Sequence, residues 1–276
     1  MSCQIYIIHG LSGQWKLKMS TGVLLYCFDT PEVAYHKFAE KCIQLIKKNL
    51  KLSRFEITLV TNSSTFEQFD DISGLNIKLV ENKKGNFRYY RGRNIAWHNL
   101  ERSMAYEHSP YETTILMDVD YFCFTDNLLT YTNTDYDFLV HNKVHDLTGE
   151  NKILGKNEST LPLVWATVTI FRKSEFAKQV FELIKHIQKY YEHYRNLYRI
   201  KHKNYRNDYA FAIALHQLNG MNAYKNFITT PMAMLAHEVD VLDMSDTGIV
   251  FKYGKKISVI NNQDVHVMDK GFVNVE

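Results

Sequence analysis

A short apolar run that ends in two aspartates constrains this chain more than any other feature of its sequence. Ile115, Leu116 and Met117 form the run, and Asp118 and Asp120 follow it with one residue between them. Runs of this kind are typical of strands that are buried on both faces of a parallel sheet. The run therefore predicts a central strand that carries two carboxylates at its carboxyl end.

Two carboxylates at the end of a buried strand are costly unless they share a cation, because like charges a few ångströms apart raise each other's pKa. Hard divalent cations such as Mg²⁺ and Mn²⁺ bind one or two protein carboxylates together with phosphate oxygens and water. Asp118 and Asp120 therefore predict a metal site that suits a nucleoside diphosphate. The alternative is a surface turn with two solvated aspartates, which would show the same tripeptide.

Length and composition favour one large α/β domain. The chain has 276 residues, of which 45% are apolar, and only 4 prolines and 12 glycines, which argues against a fibrous or disordered chain. No stretch approaches the roughly 20 consecutive apolar residues of a membrane span, and the opening MSCQIYIIHG lacks the pattern of a signal peptide. The four widely spaced cysteines favour reduced thiols. We therefore expect a cytoplasmic protein with no membrane span.

The part of the chain before Asp118 alternates between strand and helix patterns. Strands are predicted over 4–8, 23–28, 55–60 and 76–80, and helices from Asp29-Thr30-Pro31 to about Lys48 and over 94–106. Such alternation predicts a doubly wound sheet whose ligand binds at the carboxyl ends of the strands, where Asp29 and Thr61 would join Asp118. Further along, strands over 136–141 and 163–171 and one long helix over 174–198 are predicted.

The order of these elements, the strand ending in Asp118 and Asp120, and the TDNL turn after it resemble the GT-A glycosyltransferases. Family 8, the glycogenin-like retaining enzymes, is the nearest relative. That family carries a late histidine that completes the metal shell, followed by a glycine and by a lysine that contacts the donor diphosphate. His266 and Lys270 in DVHVMDKGF match this pattern loosely, because the glycine is missing and the lysine comes one residue early.

The resemblance implies an α/β GT-A fold, in which a Rossmann-like mixed sheet is flanked by helices. It implies one domain over 1–276, with a nucleotide-sugar-binding half over 1–130. An acceptor-side half over 131–276 would then contain the metal-binding segment at its end. The implied activity is transfer of a sugar from a nucleoside-diphosphate sugar, most simply a UDP-sugar, to a hydroxyl acceptor.

The resemblance also assigns roles to individual residues. Asp118, Asp120 and His266 would bind Mn²⁺ or Mg²⁺, and Asp118, Arg93 and Lys270 would contact the donor. Arg93 is chosen over Arg91 because GT-A enzymes often place a basic residue near the donor, before the helix that precedes the metal-binding strand. An ordinary basic loop would explain these arginines equally well. Around these residues, Tyr26, Phe28 and Tyr35 are candidates to stack on the donor base, and Trp165 and Thr167 to line the acceptor pocket, although core packing would explain most of them.

Asp208 is the candidate catalytic residue. It stands near the predicted start of a helix in YRNDYAFAIALHQLNG, where the helix dipole favours an ionised carboxylate. GT-A enzymes often place an acidic residue at such a position beside the acceptor, where it orients or deprotonates the attacking hydroxyl. Helix capping explains the same residue equally well. The family resemblance implies retention at the anomeric carbon, and inversion with Asp208 as the base stays open.

The sequence does not identify the acceptor. Basic clusters over 88–93 and 195–206, interleaved with tyrosines such as Tyr194, Tyr198 and Tyr205, would suit a phosphate backbone and stacked bases. A hydroxylated base in DNA, as some phage enzymes modify, and a saccharide are both candidate acceptors. An inert nucleotide- or nucleic-acid-binding module on the same scaffold is the alternative function. A nucleotidyltransferase is another, although CFDTPEVA lacks the usual glycine-rich loop.

Overall fold

The computed structural model describes residues 21–53, 56–81, 86–90, 93–149, 161–235 and 239–270. The strand predicted over 4–8 lies outside the described residues. The strands in chain order are β1 (Thr21–Tyr26), β2 (Ile57–Thr61), β3 (Asn76–Leu79), β4 (Asn86–Tyr90), β5 (Arg93–Trp97), β6 (Thr113–Asp118), β7 (Tyr121–Phe122), β8 (Phe138–His141), β9 (Val144–Asp146), β10 (Trp165–Arg172), β11 (Met232–Leu235), β12 (Asp240–Met244), β13 (Gly248–Tyr253), β14 (Lys256–Asn261) and β15 (Val265–Val267).

The α-helices in chain order are α1 (Tyr35–Leu45), α2 (Ser63–Phe66), α3 (Ala105–His108), α4 (Asn127–Thr130), α5 (Glu175–Lys189), α6 (Tyr191–Leu197) and α7 (Asn207–Leu218). A π-helical turn (Ile46–Leu50) extends α1, and a 3₁₀ helix (Leu100–Met104) precedes α3. Among the helices of the described residues, none combines the length and the apolarity that crossing a bilayer requires.

A six-stranded mixed sheet in the order β3-β2-β1-β6-β10-β8 forms the centre of the molecule. Strands β3, β2, β1 and β6 pair in parallel, whereas β10 is antiparallel to both β6 and β8. This arrangement confirms the predicted α/β class with a mixed sheet. Because parallel strands end at the same edge, the carboxyl ends of β1, β2 and β6 lie side by side.

The apolar run of β6 is buried on both faces of this sheet, as predicted. Ile115 and Met117 belong to the core that includes α1, whereas Leu116 belongs to the core that includes α5 and α7. Successive side chains of a strand point to opposite faces, so a strand between two helical layers has no solvent-facing side. Only at Asp118 does this burial pattern give way to partial exposure.

A second sheet in the order β7-β15-β11-β9 brings the late part of the chain to the end of β6. Strand β7 begins at Tyr121, immediately after Asp120, and pairs with β15 so that His266 lies opposite Tyr121. The backbone amide of Val267 also donates a hydrogen bond of 2.9 Å to the carbonyl of Asp120. This pairing positions His266 beside the two aspartates.

The helix predicted over 94–106 is wrong. Strands β4 and β5 form an antiparallel hairpin in which Tyr90 pairs with Arg93, and only the short 3₁₀ helix and α3 follow it. The sequence between the strands is Arg91-Gly92, and a two-residue connection with glycine between aromatic-rich strands is typical of a hairpin.

Two other helix boundaries differ from the prediction. The long helix over 174–198 divides into α5 and α6 at Tyr190, whose backbone angles of φ −116° and ψ 35° lie outside the helical region. Helix α1 begins at Tyr35 rather than near Pro31, because the preceding residues form a turn in which the Thr30 hydroxyl accepts a 3.1 Å bond from the Val33 amide. Asp29 still contributes to the start of α1, since its Oδ1 accepts a 2.9 Å bond from the His36 amide.

Candidate active site

Asp118, Asp120 and His266 come together where the central sheet ends. Each offers one ligand atom, and these atoms all lie within 4.8 Å of one another. Asp118 is the last residue of β6, Asp120 lies in the turn before β7, and His266 is the middle residue of β15. The structure therefore places the three residues predicted to be metal ligands in a single cluster.

The cluster contains a buried carboxylate oxygen, Asp120 Oδ1, that a cation would satisfy. Asp120 Oδ1 and His266 Nδ1 are buried and have no hydrogen-bond partner among the described residues. His266 Nε2 lies 3.2 Å from Asp120 Oδ1. Buried polar atoms are nearly always hydrogen-bonded in proteins, and carboxylate with imidazole is a donor set that suits Mn²⁺. The residues present therefore fit a divalent cation.

Lys270 neutralises the other oxygen of Asp120. Its Nζ forms an ion pair with Asp120 Oδ2, donates a 2.8 Å hydrogen bond to the carbonyl of Val267, and lies 5.2 Å from the centre of the Phe38 ring. Burial alone would raise the pKa of Asp120, but the Lys270 ammonium, with His266 beside it, holds that pKa well below its usual range. Asp120 is therefore an anion in the folded protein, and a lysine predicted to contact the donor lies against it.

Arg102 plays the corresponding part for Asp118, and the sequence analysis did not identify it. The guanidinium is buried, pairs through Nη1 with Asp118 Oδ1, and donates through Nη2 to the carbonyl of Ala166 at 2.6 Å. Burial raises the pKa of Asp118 and the charge on Asp120 raises it further, whereas Arg102 opposes both. The only indication in the sequence was a cation ahead of a strand that ends in two carboxylates.

Asp208 lies in the first turn of α7, as predicted, but it does not cap that helix. Its Oδ1 accepts a 2.9 Å hydrogen bond from the amide of Ala166, and its Oδ2 accepts bonds of 2.7 and 3.2 Å from the guanidinium of Arg206. The residue at the N-cap of α7 is Arg206, whose side chain makes no capping bond. The capping interpretation of Asp208 is therefore wrong, and both of its oxygens are engaged by the protein.

Ala166 connects the two sides of the site through its backbone. Its carbonyl accepts from Arg102, which pairs with Asp118, and its amide donates to Asp208. Ala166 lies near the start of β10, the antiparallel strand next to β6. One backbone residue thus joins the cluster of Asp118, Asp120 and His266 to the carboxylate at the start of α7.

A cleft opens over this network. Its walls include the cluster and the residues around Ala166, together with the aromatic side chains of Tyr26, Phe28, Tyr35, Trp97, His98 and Trp165. The aromatic residues and Thr167 that were singled out in the sequence therefore meet in one place. Asp29 lines an adjoining groove with Lys270, whereas Thr61 is buried and lines neither opening. Arg93 opens strand β5, and the orientation of its side chain lies outside what the structure describes.

No protein-family model matches this chain, and no curated protein matches it by sequence. Solved structures of similar fold include mouse xyloside xylosyltransferase 1, with 10% identity over 79% of this chain and 88% of that chain and a TM-score of 0.49. The galactosyltransferase LgtC, in complex with donor and acceptor sugar analogs, has 12% identity over 70% of each chain and a TM-score of 0.44.

The glycosyltransferase GlyE of Streptococcus pneumoniae TIGR4 has 11% identity over 76% of this chain and a TM-score of 0.40, and the chain spans 45% of its length. These three structures are glycosyltransferases. At such identities and TM-scores, the similarities carry no argument about the activity of this protein.

Proposed function

We propose that this protein is a metal-dependent glycosyltransferase that moves a sugar from a nucleoside-diphosphate sugar, in the first instance a UDP-sugar, to a hydroxyl acceptor. One observation carries the proposal: the buried Asp120 carboxylate keeps one oxygen without a hydrogen bond, 3.2 Å from His266 and within the cluster that Asp118 completes. A site of this kind at the carboxyl edge of parallel strands is where α/β proteins bind nucleotides.

The donor side of the proposed site is built from aromatic and cationic groups. Tyr26, Phe28 and Tyr35 line the cleft beside Asp118, and we propose that they contact the nucleobase. A divalent cation bound by Asp118, Asp120 and His266 would act as a Lewis acid on the diphosphate leaving group. Residues 1–130 would then supply most of the donor contacts.

Lys270 is the residue we assign to the departing diphosphate. Its ammonium is already within the cluster, in contact with Asp120, and it is held there by the Val267 carbonyl. A fixed cation beside a developing negative charge stabilises that charge without the need to reorganise solvent. Arg93 is proposed as a second contact to the donor.

On the acceptor side, residues 131–276 would supply Asp208, Trp165 and Thr167, all of which line the cleft. Both Asp208 oxygens accept hydrogen bonds from the protein, which suits a carboxylate that orients the acceptor hydroxyl. Removal of the acceptor hydroxyl proton by Asp208 would require one of these hydrogen bonds to Asp208 to break. We propose the orienting role, together with retention at the anomeric carbon as the family resemblance implies.

A thermal-shift screen of nucleotide sugars with and without Mn²⁺ tests the donor class. A ligand at 100 times its dissociation constant stabilises the folded protein by about 2.7 kcal/mol, which is readily measured. We expect a UDP-sugar to raise the melting temperature only when Mn²⁺ is present. If no nucleotide sugar raises it under either condition, the proposed donor is wrong.

Slow hydrolysis of the UDP-sugar in the absence of acceptor separates an enzyme from an inert binding module. Asp120→Ala should abolish the Mn²⁺-dependent hydrolysis, because it removes the carboxylate at the centre of the cluster. Asp126→Ala is the matched control, since Asp126 is an exposed aspartate of the same chain segment. Binding without hydrolysis in the unchanged protein would identify a binding module, and pyrophosphate release from a nucleoside triphosphate would identify a nucleotidyltransferase.

A further inference from the structure

The positive charge of this chain is concentrated in two stretches. Residues 82–100 contain five Lys and Arg residues and no Asp or Glu, and residues 193–207 likewise contain five and none. These ten belong to a total of 33 basic residues, against 30 acidic ones in the whole chain. The remainder of the protein is therefore net acidic, and the net charge of +3 comes entirely from the two stretches.

The two stretches meet in space although about a hundred residues separate them. Asn204 Nδ2 donates a 2.6 Å hydrogen bond to the carbonyl of Phe87 in β4, and the Arg206 guanidinium lies 6.0 Å from the Trp97 ring of β5. Asn207 Nδ2 donates a 3.1 Å bond to the carbonyl of Asn99. We call the surface made by the hairpin β4–β5 and residues 199–206 the basic rim.

Several described side chains of the basic rim are exposed, and the rim leads into the cleft. Arg199, Lys201, His202 and Lys203 are all exposed. Phe87 on the hairpin exposes 59% of its surface. At the inner end of the rim, Trp97 and Arg206 are part of the cleft wall. A ligand that lies along the rim would therefore reach the site of the proposed transfer.

Buried tyrosines hold the rim in place. Tyr194, Tyr198 and Tyr205 expose only 8%, 8% and 6% of their surfaces, so the expectation that they stack on bases is wrong. Instead they pack in the core with α5 and α7. Tyr191 in the same core donates a 3.2 Å bond to the carbonyl of His202. The cations of residues 199–206 therefore extend from an anchored backbone.

We propose that the basic rim binds nucleic acid and that the acceptor of the transfer is a nucleotide within that polymer. This inference rests on the proposed function. Exposed cations on one segment, next to an exposed aromatic ring, match a phosphodiester backbone with stacked bases. A two-stranded ribbon such as β4–β5 also has the width that the major groove of a duplex admits. An anionic membrane fits less well, because α6, the helix beside the rim, already buries Tyr191 and Tyr194 in the core.

Fluorescence anisotropy with a labelled DNA duplex, and with one of its single strands, tests the proposal without donor or metal. We expect the logarithm of the association constant to fall linearly with the logarithm of the salt concentration. The slope should be about −0.9 per phosphate contact for the duplex and about −0.7 per contact for the single strand. Comparison of the duplex and single-strand arms identifies the form that is recognised.

Lys201→Ala combined with Lys203→Ala should reduce the salt slope by about 2 and weaken binding in 0.1 M salt about tenfold or more. Lys255→Ala combined with Lys256→Ala is the control, because it removes the same charge from an exposed turn between β13 and β14. Phe87→Ala provides an independent variant and should weaken single-strand binding about fivefold or more through lost stacking.

Several results would overturn the proposal. They are absence of salt-dependent binding, an equal loss in both double variants, or tighter binding to heparin or to vesicles with anionic lipid than to either DNA. If these occur while a UDP-sugar still stabilises the protein with Mn²⁺, the acceptor class is wrong and the proposed transferase stands. If DNA binds as expected and no nucleotide sugar does, the transferase proposal fails instead.

Discussion

The two side chains of the ion pair between Arg102 and Asp118 are buried to different extents. This difference predicts which of the two substitutions destabilises the protein more. The side chain of Arg102 is 5% exposed, whereas that of Asp118 is 37% exposed. Asp118→Ala would leave a nearly buried guanidinium without its counterion. Arg102→Met would leave a carboxylate that water can reach. We therefore expect Asp118→Ala to destabilise the protein more than Arg102→Met does.

Removing one partner of a buried ion pair costs about 3–5 kcal/mol. After Asp118→Ala, Arg102 keeps its 2.6 Å bond to the Ala166 carbonyl, and the repulsion between Asp118 and Asp120 disappears. Both effects place the expected loss in the free energy of unfolding at the lower end of this range, about 3 kcal/mol. For Arg102→Met the main loss is the donor to the Ala166 carbonyl, and an unpaired buried acceptor costs about 1–3 kcal/mol, so the expected loss of stability is at most that of Asp118→Ala.

Urea unfolding followed by tryptophan fluorescence, with a chelator present so that no metal occupies the cluster, measures both costs. The variants should share the denaturant slope of the unchanged protein, since the area exposed on unfolding is the same. The double variant should lose less than the sum of the two single losses, because the two residues contact each other. If Arg102→Met costs as much as Asp118→Ala or more, the argument from unequal burial is wrong.

Three further predictions concern the scaffold. Burial lowers the pKa of His141 from 6.5 to about 4. The unfolded chain therefore takes up a proton first as the pH falls from 6.5 to 4, and up to about 3 kcal/mol of stability is lost in that window. His141→Gln should flatten this part of the stability profile, and an unchanged profile would contradict the assignment. Ser174→Ala removes the helix-capping bond of 3.2 Å that the Ala177 amide donates to the Ser174 hydroxyl, and it should lower the free energy of unfolding by about 1 kcal/mol. Calorimetry should then show a fall in Tm of about 2 °C. An unchanged Tm would show that this cap contributes nothing. Gly22→Ala would place the new Cβ 2.4 Å from Tyr111 Cζ and should lower the free energy of unfolding, measured in urea, by about 1–3 kcal/mol. An unchanged free energy of unfolding would show that the Tyr111 ring moves aside without cost.

The central strand and its two aspartates could be predicted because their signal is local. Ile115 to Met117 is a continuous apolar run, and a strand buried on both faces needs such a run wherever it lies in a fold. The same holds for α7, whose first turn contains Asp208. His266 was found through the family resemblance, and its approach to Asp120 depends on the pairing of β7 with β15, which no local pattern contains.

Arg102 could not be found in this way, because its role is defined by contacts that are distant in sequence. Its guanidinium reaches the carbonyl of Ala166, which is 64 residues further along the chain. In the sequence it is one cation among several before the central strand. Tyr194 in α6 and Tyr198 at its C-cap show the opposite error: with Tyr191 they recur at helical spacing, which is the pattern of a buried face, and the structure places all three in the core.

The contact between Asp120 and Lys270 joins residues that are 150 positions apart. A ribosome would therefore have to release the chain through β15 before the cluster could assemble, and any fragment that stops ahead of β15 would lack both the imidazole of His266 and the ammonium of Lys270. Closing so long a loop costs only slightly more entropy than closing a short one, since the cost grows with the logarithm of length. The cluster of Asp118, Asp120 and His266 would thus stay incomplete during synthesis until β15 has left the ribosome, while the long loop adds little to the entropy cost of folding.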